Sequence, residues 1–380
     1  MAGRSDTTIF TTMTALAEQT GAINLGQGFP DEDGPRIVID AAVDALRSGH
    51  NQYAPLPGIP ELRQAIARHQ RARYGIELDP DTQVQVTFGA TEALASALLA
   101  LVKPGDEVAM LDPSYDSYAA VVALAGGVPR PIPLDPPHWR VEGDAVDAVV
   151  GERTRVLLVN SPHNPTGRVL DAQELEVLAD ACRRHDVIAL TDEVYEHLIY
   201  DGEHIPISTR DGMAGRTITV SSLGKTHSFT GWKIGWATGP AELVAAVRGV
   251  KQFLTFAGGT PLQHAAVVAL DQAGDEASKL ASTLATKRDL LADGLRAAGF
   301  DVLHTSGTYF LTADARPLGF DDAVELCERL PLDAGVVAIP VSAFTAEPAD
   351  RVRPLVRFAF CKRREVLEDA VKRLSAWSPA

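Results

Sequence analysis

Short apolar segments alternate with amphipathic segments through the middle of the chain. The apolar segments are rich in Val, Leu and Ile, and they predict strands at residues 83–88, 107–112, 155–160, 187–191, 217–221 and 233–239. Apolar positions with helical spacing lie between them and predict helices at residues 91–102, 116–126 and 172–185. Continuously apolar strands separated by helices are typical of a mostly parallel sheet that is covered by helices on both faces.

The pattern changes after about residue 272. A long amphipathic helix is predicted at 275–298, and a final helix at 364–377. Short strands are predicted between them at residues 301–304, 307–313, 335–339 and 355–360. The segment before residue 32 is too short to be a domain, so we expect it to pack against this C-terminal unit. The prediction is an α/β fold with a large domain at residues 33–271 and a smaller α+β domain formed by 1–32 and 272–380.

Composition limits the classes of function. The chain has 380 residues, enough for two domains with sizeable cores, and it is 46% hydrophobic and 22% charged. Its formal net charge of −15 argues against a nucleic-acid partner, because binding to polyphosphate needs a basic surface.

The cysteines and the termini point to a reducing compartment. Cys182, Cys327 and Cys361 are far apart and form no CxxC pair, so they imply neither a disulfide framework nor a zinc cluster, and no metal site is predicted. The N-terminus has no charged-then-apolar signal pattern. The longest apolar run, residues 93–102, is about half of the roughly 20 residues that span a bilayer. We therefore expect a cytoplasmic protein with no membrane partner.

Two lysines follow the strand predicted at residues 217–221. Lys225 ends the run Ser-Ser-Leu-Gly-Lys, and Lys233 ends Thr-Gly-Trp-Lys eight residues later. One lysine can be a nucleophilic amine, and the other can neutralise a phosphate. A single lysine is most often a solvated surface charge, but two lysines among Gly, Ser and Trp are unusual for a surface loop.

A carboxylate and an amide follow two neighbouring strands. Asp192 comes at the C-terminal end of an apolar strand, the edge where ligands bind in open α/β sheets. A buried carboxylate there needs a positive partner, for which a protonated pyridine nitrogen would serve. A helix cap or an ion pair would equally explain Asp192. Asn164 precedes a proline, which holds its backbone extended and can aim its amide into a cleft.

Small residues open the helix that follows the first strand of the middle region. Gly89, Ala90 and Thr91 stand where its free backbone N–H groups can bind a phosphate. The chain has neither GxxxxGK[ST] nor GxGxxG at this point, so this feature by itself is a weak signal.

Taken in order, these motifs resemble those of the fold type I, class I aminotransferases, which use pyridoxal 5'-phosphate (PLP). The resemblance covers nearly the whole chain. Its signatures are residues 24–30, 51–53, 161–167, 192–195, 222–226 and 230–233. The chain looks most like the branch of kynurenine, glutamine–phenylpyruvate and methionine aminotransferases, and it is similar also to actinobacterial N-succinyldiaminopimelate aminotransferases.

The resemblance implies roles for the residues around the cofactor. Lys225 would attach PLP and then move the substrate Cα proton, and Asp192 would pair with the pyridine N–H. Tyr195 and Asn164 would bind the phenolic oxygen of PLP, and Tyr115 would stack on its ring. The phosphate would be held by a set of small and basic residues: Gly89, Ala90, Thr91, Ser222 and Lys233.

The resemblance also implies a substrate site and a homodimer. Arg357 would bind the substrate α-carboxylate in a bidentate manner, although an interdomain ion pair would also explain it. The rest of the substrate pocket would be formed by Phe10, Gly28, Asn164, Gly258 and Gly259. Tyr53 would reach the phosphate in the neighbouring subunit, so the two active sites would be shared across a two-fold axis.

The expected reaction is transfer of an amino group from a bulky or long-chain α-amino acid, such as kynurenine, phenylalanine, methionine or glutamine, to a 2-oxo acid. An N-succinyldiaminopimelate aminotransferase is one alternative. A cysteine-conjugate β-lyase on the same scaffold is another, and its products would be pyruvate and ammonia. A ligand sensor fused to a DNA-binding domain is disfavoured by the acidic charge and by the early start of the signatures.

Overall fold

The computed structural model describes residues 9–346 and 350–378. The strands are β1 (Ile23–Asn24), β2 (Val84–Phe88), β3 (Glu107–Asp112), β4 (Val128–Pro133), β5 (Thr154–Asn160), β6 (Ile188–Asp192), β7 (Thr217–Ser222), β8 (Ile234–Thr238), β9 (Asp301–Val302), β10 (Phe310–Asp314), β11 (Val336–Val337), β12 (Ile339–Pro340) and β13 (Leu355–Ala359).

The helices surround these strands. They are α1 (Ile9–Thr20), α2 (Arg36–Arg47), α3 (Pro60–Tyr74), α4 (Gly89–Leu101), α5 (Ser117–Leu124), α6 (Gly143–Val149), α7 (Ala172–Arg184), α8 (Leu223–Thr226), α9 (Ala241–Leu254), α10 (Thr260–Gln272), α11 (Gly274–Ala297), α12 (Ala323–Asp333) and α13 (Arg364–Ala376). No helix of the described ranges is long and apolar enough to cross a membrane.

A seven-stranded sheet forms the centre of the molecule, in the order β2-β8-β7-β6-β5-β3-β4. Only β8 runs against its neighbours, so the predicted α/β class with a mostly parallel sheet is confirmed. Asn160 lies opposite Asp192 in the register of β5 and β6. Because parallel strands end at the same edge, the ends of β5, β6 and β7 bring their terminal polar side chains together.

A four-stranded antiparallel sheet, ordered β12-β13-β10-β9, lies beyond the long helix α11. The N-terminal segment joins this part of the molecule, because β1 pairs in parallel with β11 and Met13, Ala17 and Leu25 share its buried core. All three cysteines are buried and free.

Two predicted strands differ from the structure. The strand predicted at 335–339 divides into β11 and β12, which pair in different sheets. The strand predicted at 307–313 begins only at Phe310, because Thr308 has a left-handed backbone (φ 66°) and the preceding N–H groups of Ser306 and Gly307 donate to Gly167.

Candidate active site

A cavity of about 290 Å³ lies at the C-terminal edge of the central sheet. It brings together thirteen of the sixteen residues predicted for the site: Phe10, Gly28, Gly89, Ala90, Thr91, Tyr115, Asn164, Asp192, Tyr195, Ser222, Lys225, Lys233 and Arg357. These residues come from the seven-stranded and four-stranded sheets, from segments that follow their strands and from the N-terminal segment, so the cavity depends on the packing of the whole chain.

Lys225 lies on the single helical turn α8, directly after β7. Its Nζ donates a hydrogen bond to the Tyr309 hydroxyl at 2.9 Å and lies 5.7 Å from the centre of the Tyr195 ring. Burial lowers the pKa of Lys225 from 10.5 to about 8, because the charged ammonium loses its hydration. The amine is therefore neutral, and nucleophilic, in mildly basic solution.

Asp192 is the last residue of β6, and its side chain is buried. Tyr118 donates its hydroxyl hydrogen to Asp192 Oδ2 at 2.7 Å. Burial raises the pKa of this carboxyl above its usual value. Among the described residues, no Lys, Arg or His lies within 4.0 Å of it. A carboxylate held in this way fits a cationic N–H that arrives with a ligand.

The N-terminus of α4 faces Lys233 across a close backbone contact. Gly89 begins the helix with a left-handed backbone (φ 75°), and Lys233 Nζ donates to Thr91 Oγ1 at 3.2 Å. Gly235 permits the approach, since a Cβ there would lie 2.6 Å from the Ala90 nitrogen. Free N–H groups at a helix start, with an ammonium beside them, form an anion site suited to a phosphate.

Arg357 is buried in the middle of β13, and its positive charge has no protein counter-ion within 4.0 Å among the described residues. Its Nη1 donates to Asn164 Oδ1 at 2.8 Å and its Nη2 to the Gly26 carbonyl at 3.0 Å, while Nε has no partner. The guanidinium lies 3.9 Å from the centre of the Phe310 ring and 4.3 Å from that of Phe344.

Burial lowers the pKa of Arg357 to about 10. The side chain is held by two hydrogen bonds and two aromatic rings, and it keeps an unused donor. It is therefore prepared to bind an incoming carboxylate.

Asn164 and Asp192 are joined through Asn160. The Asn164 backbone N–H donates to Asn160 Oδ1 at 2.8 Å, and Asn160 Nδ2 donates to the Asp192 carbonyl at 2.8 Å. The amide of Asn160 thus fixes the turn that carries Asn164 relative to the end of β6.

Five polar residues of the site are absent from the sequence prediction: Gln27, Tyr118, Asn160, Thr230 and Tyr309. Tyr118 could have been found one helical turn after Tyr115, since both face the cavity. Tyr309 gives little signal in the sequence. Its hydroxyl receives the Lys225 hydrogen bond and donates to the Gly28 carbonyl, and a Cβ at Gly28 would lie 2.9 Å from the Tyr309 ring.

Three predicted residues do not line the cavity of their own chain. Tyr53 is 83% exposed, and its ring stands perpendicular to that of Phe256 at 5.6 Å. Gly258 and Gly259 lie on the loop between α9 and α10, near Phe88 and Leu262.

The chain is similar to aminotransferases along nearly its whole length. The family described as "Aminotransferase class I and II" matches residues 20–374. "Probable N-succinyldiaminopimelate aminotransferase DapC" of Mycobacterium tuberculosis is 51% identical over 379 residues, covering 97% of this chain and 96% of that protein. "Methionine aminotransferase" of Escherichia coli is 42% identical over 369 residues, covering 97% and 95%.

The fold agrees with these relationships. The solved structure of N-succinyldiaminopimelate aminotransferase from Mycobacterium tuberculosis superposes with a TM-score of 0.96 at 51% identity, covering 99% of this chain and all of that one (100%).

Proposed function

This chain belongs to the class I and II aminotransferases, and from that premise we propose that it uses PLP to transfer the amino group of a bulky or long-chain α-amino acid to a 2-oxo acid. The family confirms the resemblance stated from the motifs and the assignment as a transaminase. The use of PLP and the choice of substrate are inferred from the cavity. An amine, a buried carboxylate, an anion site and a guanidinium without a counter-ion all line it.

The residues of the cavity fit PLP at three points. Asp192 offers a buried carboxylate to a pyridine N–H, the start of α4 with Lys233 offers donors to a phosphate, and Lys225 offers an amine to the aldehyde. PLP, when bound, supplies an aldehyde carbon that takes up the amino group and a protonated ring that withdraws electrons from the substrate Cα.

Lys225 is the residue we propose to move the substrate Cα proton. A neutral Nζ can accept that proton and return it, and a pKa of about 8 keeps the two protonation states close in free energy near neutral pH. Tyr309 holds Nζ at 2.9 Å and is itself fixed by the Gly28 carbonyl. Tyr309 is thus a positioning residue for the amine.

Arg357 would bind the α-carboxylate that every amino acid and 2-oxo acid shares. The part of the cavity that contacts the substrate side chain would then determine which substrate binds. Phe10, Phe29 and Phe310 line the cavity with aromatic rings. Such a lining favours bulky apolar side chains and discriminates weakly among them, by about 1–3 kcal/mol per methylene. We therefore expect several aromatic, thioether and glutamine-type donors to react.

N-succinyldiaminopimelate is the second candidate donor, and two observations favour it. One is the 51% identity to the relative of that name. The other is Lys362, a buried lysine whose Nζ donates to the Phe29 carbonyl at 2.8 Å and lies 4.2 Å from the centre of the Phe29 ring. No carboxylate of the described residues lies within 4.0 Å of this ammonium.

Four basic residues are candidate cations for a distal carboxylate: Lys362, Arg363, Arg364 and Arg316. Lys362 is the best of them, because the other three already form ion pairs. Arg363 and Arg364 form ion pairs with neighbouring acidic residues at 3.3 Å and 2.8 Å. Arg316 pairs with Asp314. Neither Arg316 nor Lys362 lines the cavity, but Lys362 contacts Phe29, which does.

The test is a single-turnover screen. The PLP-loaded protein is mixed with one amino acid at a time, and the loss of the cofactor absorbance is followed. Fast reaction with phenylalanine, kynurenine, methionine or glutamine supports the proposal. The second candidate would replace the first if only N-succinyldiaminopimelate reacts. In that case Lys362→Met should abolish the reaction, and Lys362→Arg should retain it.

We also propose a homodimer with shared active sites. Four large apolar side chains that are 42–83% exposed lie on or near the loop after α9: Tyr53, Phe253, Leu254 and Phe256. Phe88, beside the phosphate end of the cavity, is 41% exposed as well. A second copy of the chain that covers this surface would bring Tyr53, Gly258 and Gly259 to its partner's cavity.

A further inference from the structure

Behind the turn that carries Lys225, two histidines and a glutamate converge outside the cavity just described. His69 comes from α3, and Glu196 and His197 come from the segment after β6. The Nε2 atoms of His69 and His197 are 2.8 Å apart, and one ligand atom from each of the three residues lies within 4.8 Å of the others. We propose that these three side chains bind a divalent cation of the zinc type.

Glu196 is held as a ligand would be. Its side chain is buried, Tyr74 donates to its Oε2 at 2.6 Å, and Ser221 donates to its Oε1 at 2.5 Å. A carboxylate offers about four lone-pair positions, so these two bonds leave room for a metal while they fix its orientation. Hydrogen bonds of this kind to a ligand are typical of protein metal sites.

A small cavity lies at the point of convergence. It measures about 10 Å³, the scale of a single water or ion, and it is bordered by the three proposed ligands and by His227. His227 is buried, and its Nδ1 has no hydrogen-bond partner. An outer cavity of about 210 Å³, lined by His69, His197 and His227, gives a path from solvent.

The ligand set selects the cation. Two imidazole nitrogens and one carboxylate oxygen suit Zn²⁺, with a fourth position left for water. Tetrahedral Zn–N bonds place two nitrogens about 3.3 Å apart, so the Nε2 atoms, now at 2.8 Å, must separate by roughly 0.5 Å. The present contact needs a proton on one of the two Nε2 atoms. As the two N–Zn bonds form, this proton is replaced by one on Nδ1 of the same ring, so that both imidazoles bind zinc as neutral ligands.

The position of the site connects it with the catalytic residues. Glu196 follows Tyr195 directly, and Ser221, which donates to Glu196, precedes Ser222 at the end of β7. A bound cation would therefore join α3 to Glu196 and His197 in the segment after β6, and Glu196 in turn is hydrogen-bonded to the end of β7 through Ser221. The cation would fix the spacing of two strand ends that carry the amine and the carboxylate, without contacting the substrate.

The test uses untagged, PLP-loaded protein freed of metal with a chelator and of excess PLP by dialysis. Zinc is titrated against a chromophoric competitor, and bound metal is counted by elemental analysis. We expect one zinc per chain. His69→Gln and His197→Gln should each weaken binding by at least the ~10–100-fold that loss of an outer-shell partner costs. His304→Gln, which removes an exposed histidine, is the matched control and should bind as the parent does.

Two further readouts keep the test independent of folding defects and of turnover. Cobalt(II) should give the intense visible bands of a tetrahedral site in the parent and not in His69→Gln, a variant whose near-ultraviolet circular dichroism should match that of the parent. Zinc should raise the Tm of the parent and leave that of His69→Gln unchanged. Absence of bound zinc in the parent, or an affinity for zinc in both histidine variants equal to that of the parent, would overturn the proposal.

Discussion

Asp192 and Arg357 are buried groups of opposite charge to which the described residues offer no counter-ion. Burial raises the pKa of the first and lowers that of the second to about 10, because each charged form has lost its hydration. A ligand with a cationic ring nitrogen near Asp192 and a carboxylate near Arg357 restores both interactions. Both charged groups are thus already in position to bind such a ligand in the folded protein.

The substitution Asp192→Asn keeps the shape of the side chain and removes its charge. We expect the amino-acid half-reaction to slow by the equivalent of about 3–5 kcal/mol, the cost of breaking a buried charge pair. Single-turnover absorbance kinetics measures the effect. The control is Asp186→Asn, two residues before β6 begins, an exposed position with a left-handed backbone that Asn tolerates. A near-normal rate for Asp192→Asn would show that the half-reaction does not need the negative charge of Asp192.

Lys225 gives a pH prediction. Burial penalises its ammonium form, so in cofactor-free protein the neutral, reactive amine should dominate above pH 8 instead of above its ordinary pKa of 10.5. Labelling of the Lys225 peptide by an amine-reactive reagent, followed by mass spectrometry, should be half-maximal near pH 8. A rate that keeps rising to pH 10 would show that the amine is not perturbed.

Three parallel strands that end together build one side of the site. Asn160, Asp192 and Ser222 are the last residues of β5, β6 and β7, and the register places the first two side by side. The antiparallel strand β8 then brings Gly235 against the start of α4. The phosphate end therefore depends on a close approach of backbone to backbone.

A methyl group at Gly235 tests that approach. In Gly235→Ala the new Cβ would meet the Gly89 carbonyl carbon at 2.5 Å, and backbone cannot yield as a flexible side chain can. We expect a loss of about 1–3 kcal/mol in unfolding free energy, together with weaker PLP binding. Gly249→Ala, inside α9 with nothing within 4 Å, should instead stabilise by about 0.5–1 kcal/mol. Urea unfolding and PLP titration measure both, and equal stability of the two variants would contradict the account.

The sequence predicts some strands and helices accurately and misses others. Strands such as β3 and β5 are continuous apolar runs, and their predicted positions agree with the structure within about one residue. Helix α3 has no predicted counterpart, because its many polar and basic residues hide the few apolar positions that it buries. The split between β11 and β12 is likewise invisible in sequence, since it reflects which strand each half pairs with.

Some residues of the active site could likewise be predicted from the sequence, and others could not. Lys225 and Asp192 stand in local motifs at strand ends, so their convergence follows from the parallel sheet. Tyr309 comes from the strand-free segment before β10, and only tertiary packing brings its hydroxyl to the lysine. The histidines of the proposed cation site are distant in sequence for the same reason, and their spacing resembles no metal motif.

At the scale of the whole molecule, the exposed aromatic surface around Tyr53 predicts a shared active site. Mixing Tyr53→Ala with Lys225→Ala subunits should produce hybrid dimers in which one site carries both lesions and the other carries neither. Random pairing would then restore about a quarter of the wild-type activity. Steady-state assays of the mixture, with hybrid formation confirmed by native mass spectrometry, give the result. Hybrids that stay inactive would count against the shared site.

We propose that Lys225 is the amine that holds PLP, and borohydride reduction of the PLP-loaded protein followed by peptide mass spectrometry identifies that amine. Reduction makes the attachment permanent, so the mass of the cofactor marks the lysine that carried it. We predict the label on the peptide that contains Lys225 and its loss in Lys225→Ala, with Lys233 unlabelled. A label on Lys233, on any other lysine, or on none would contradict the account.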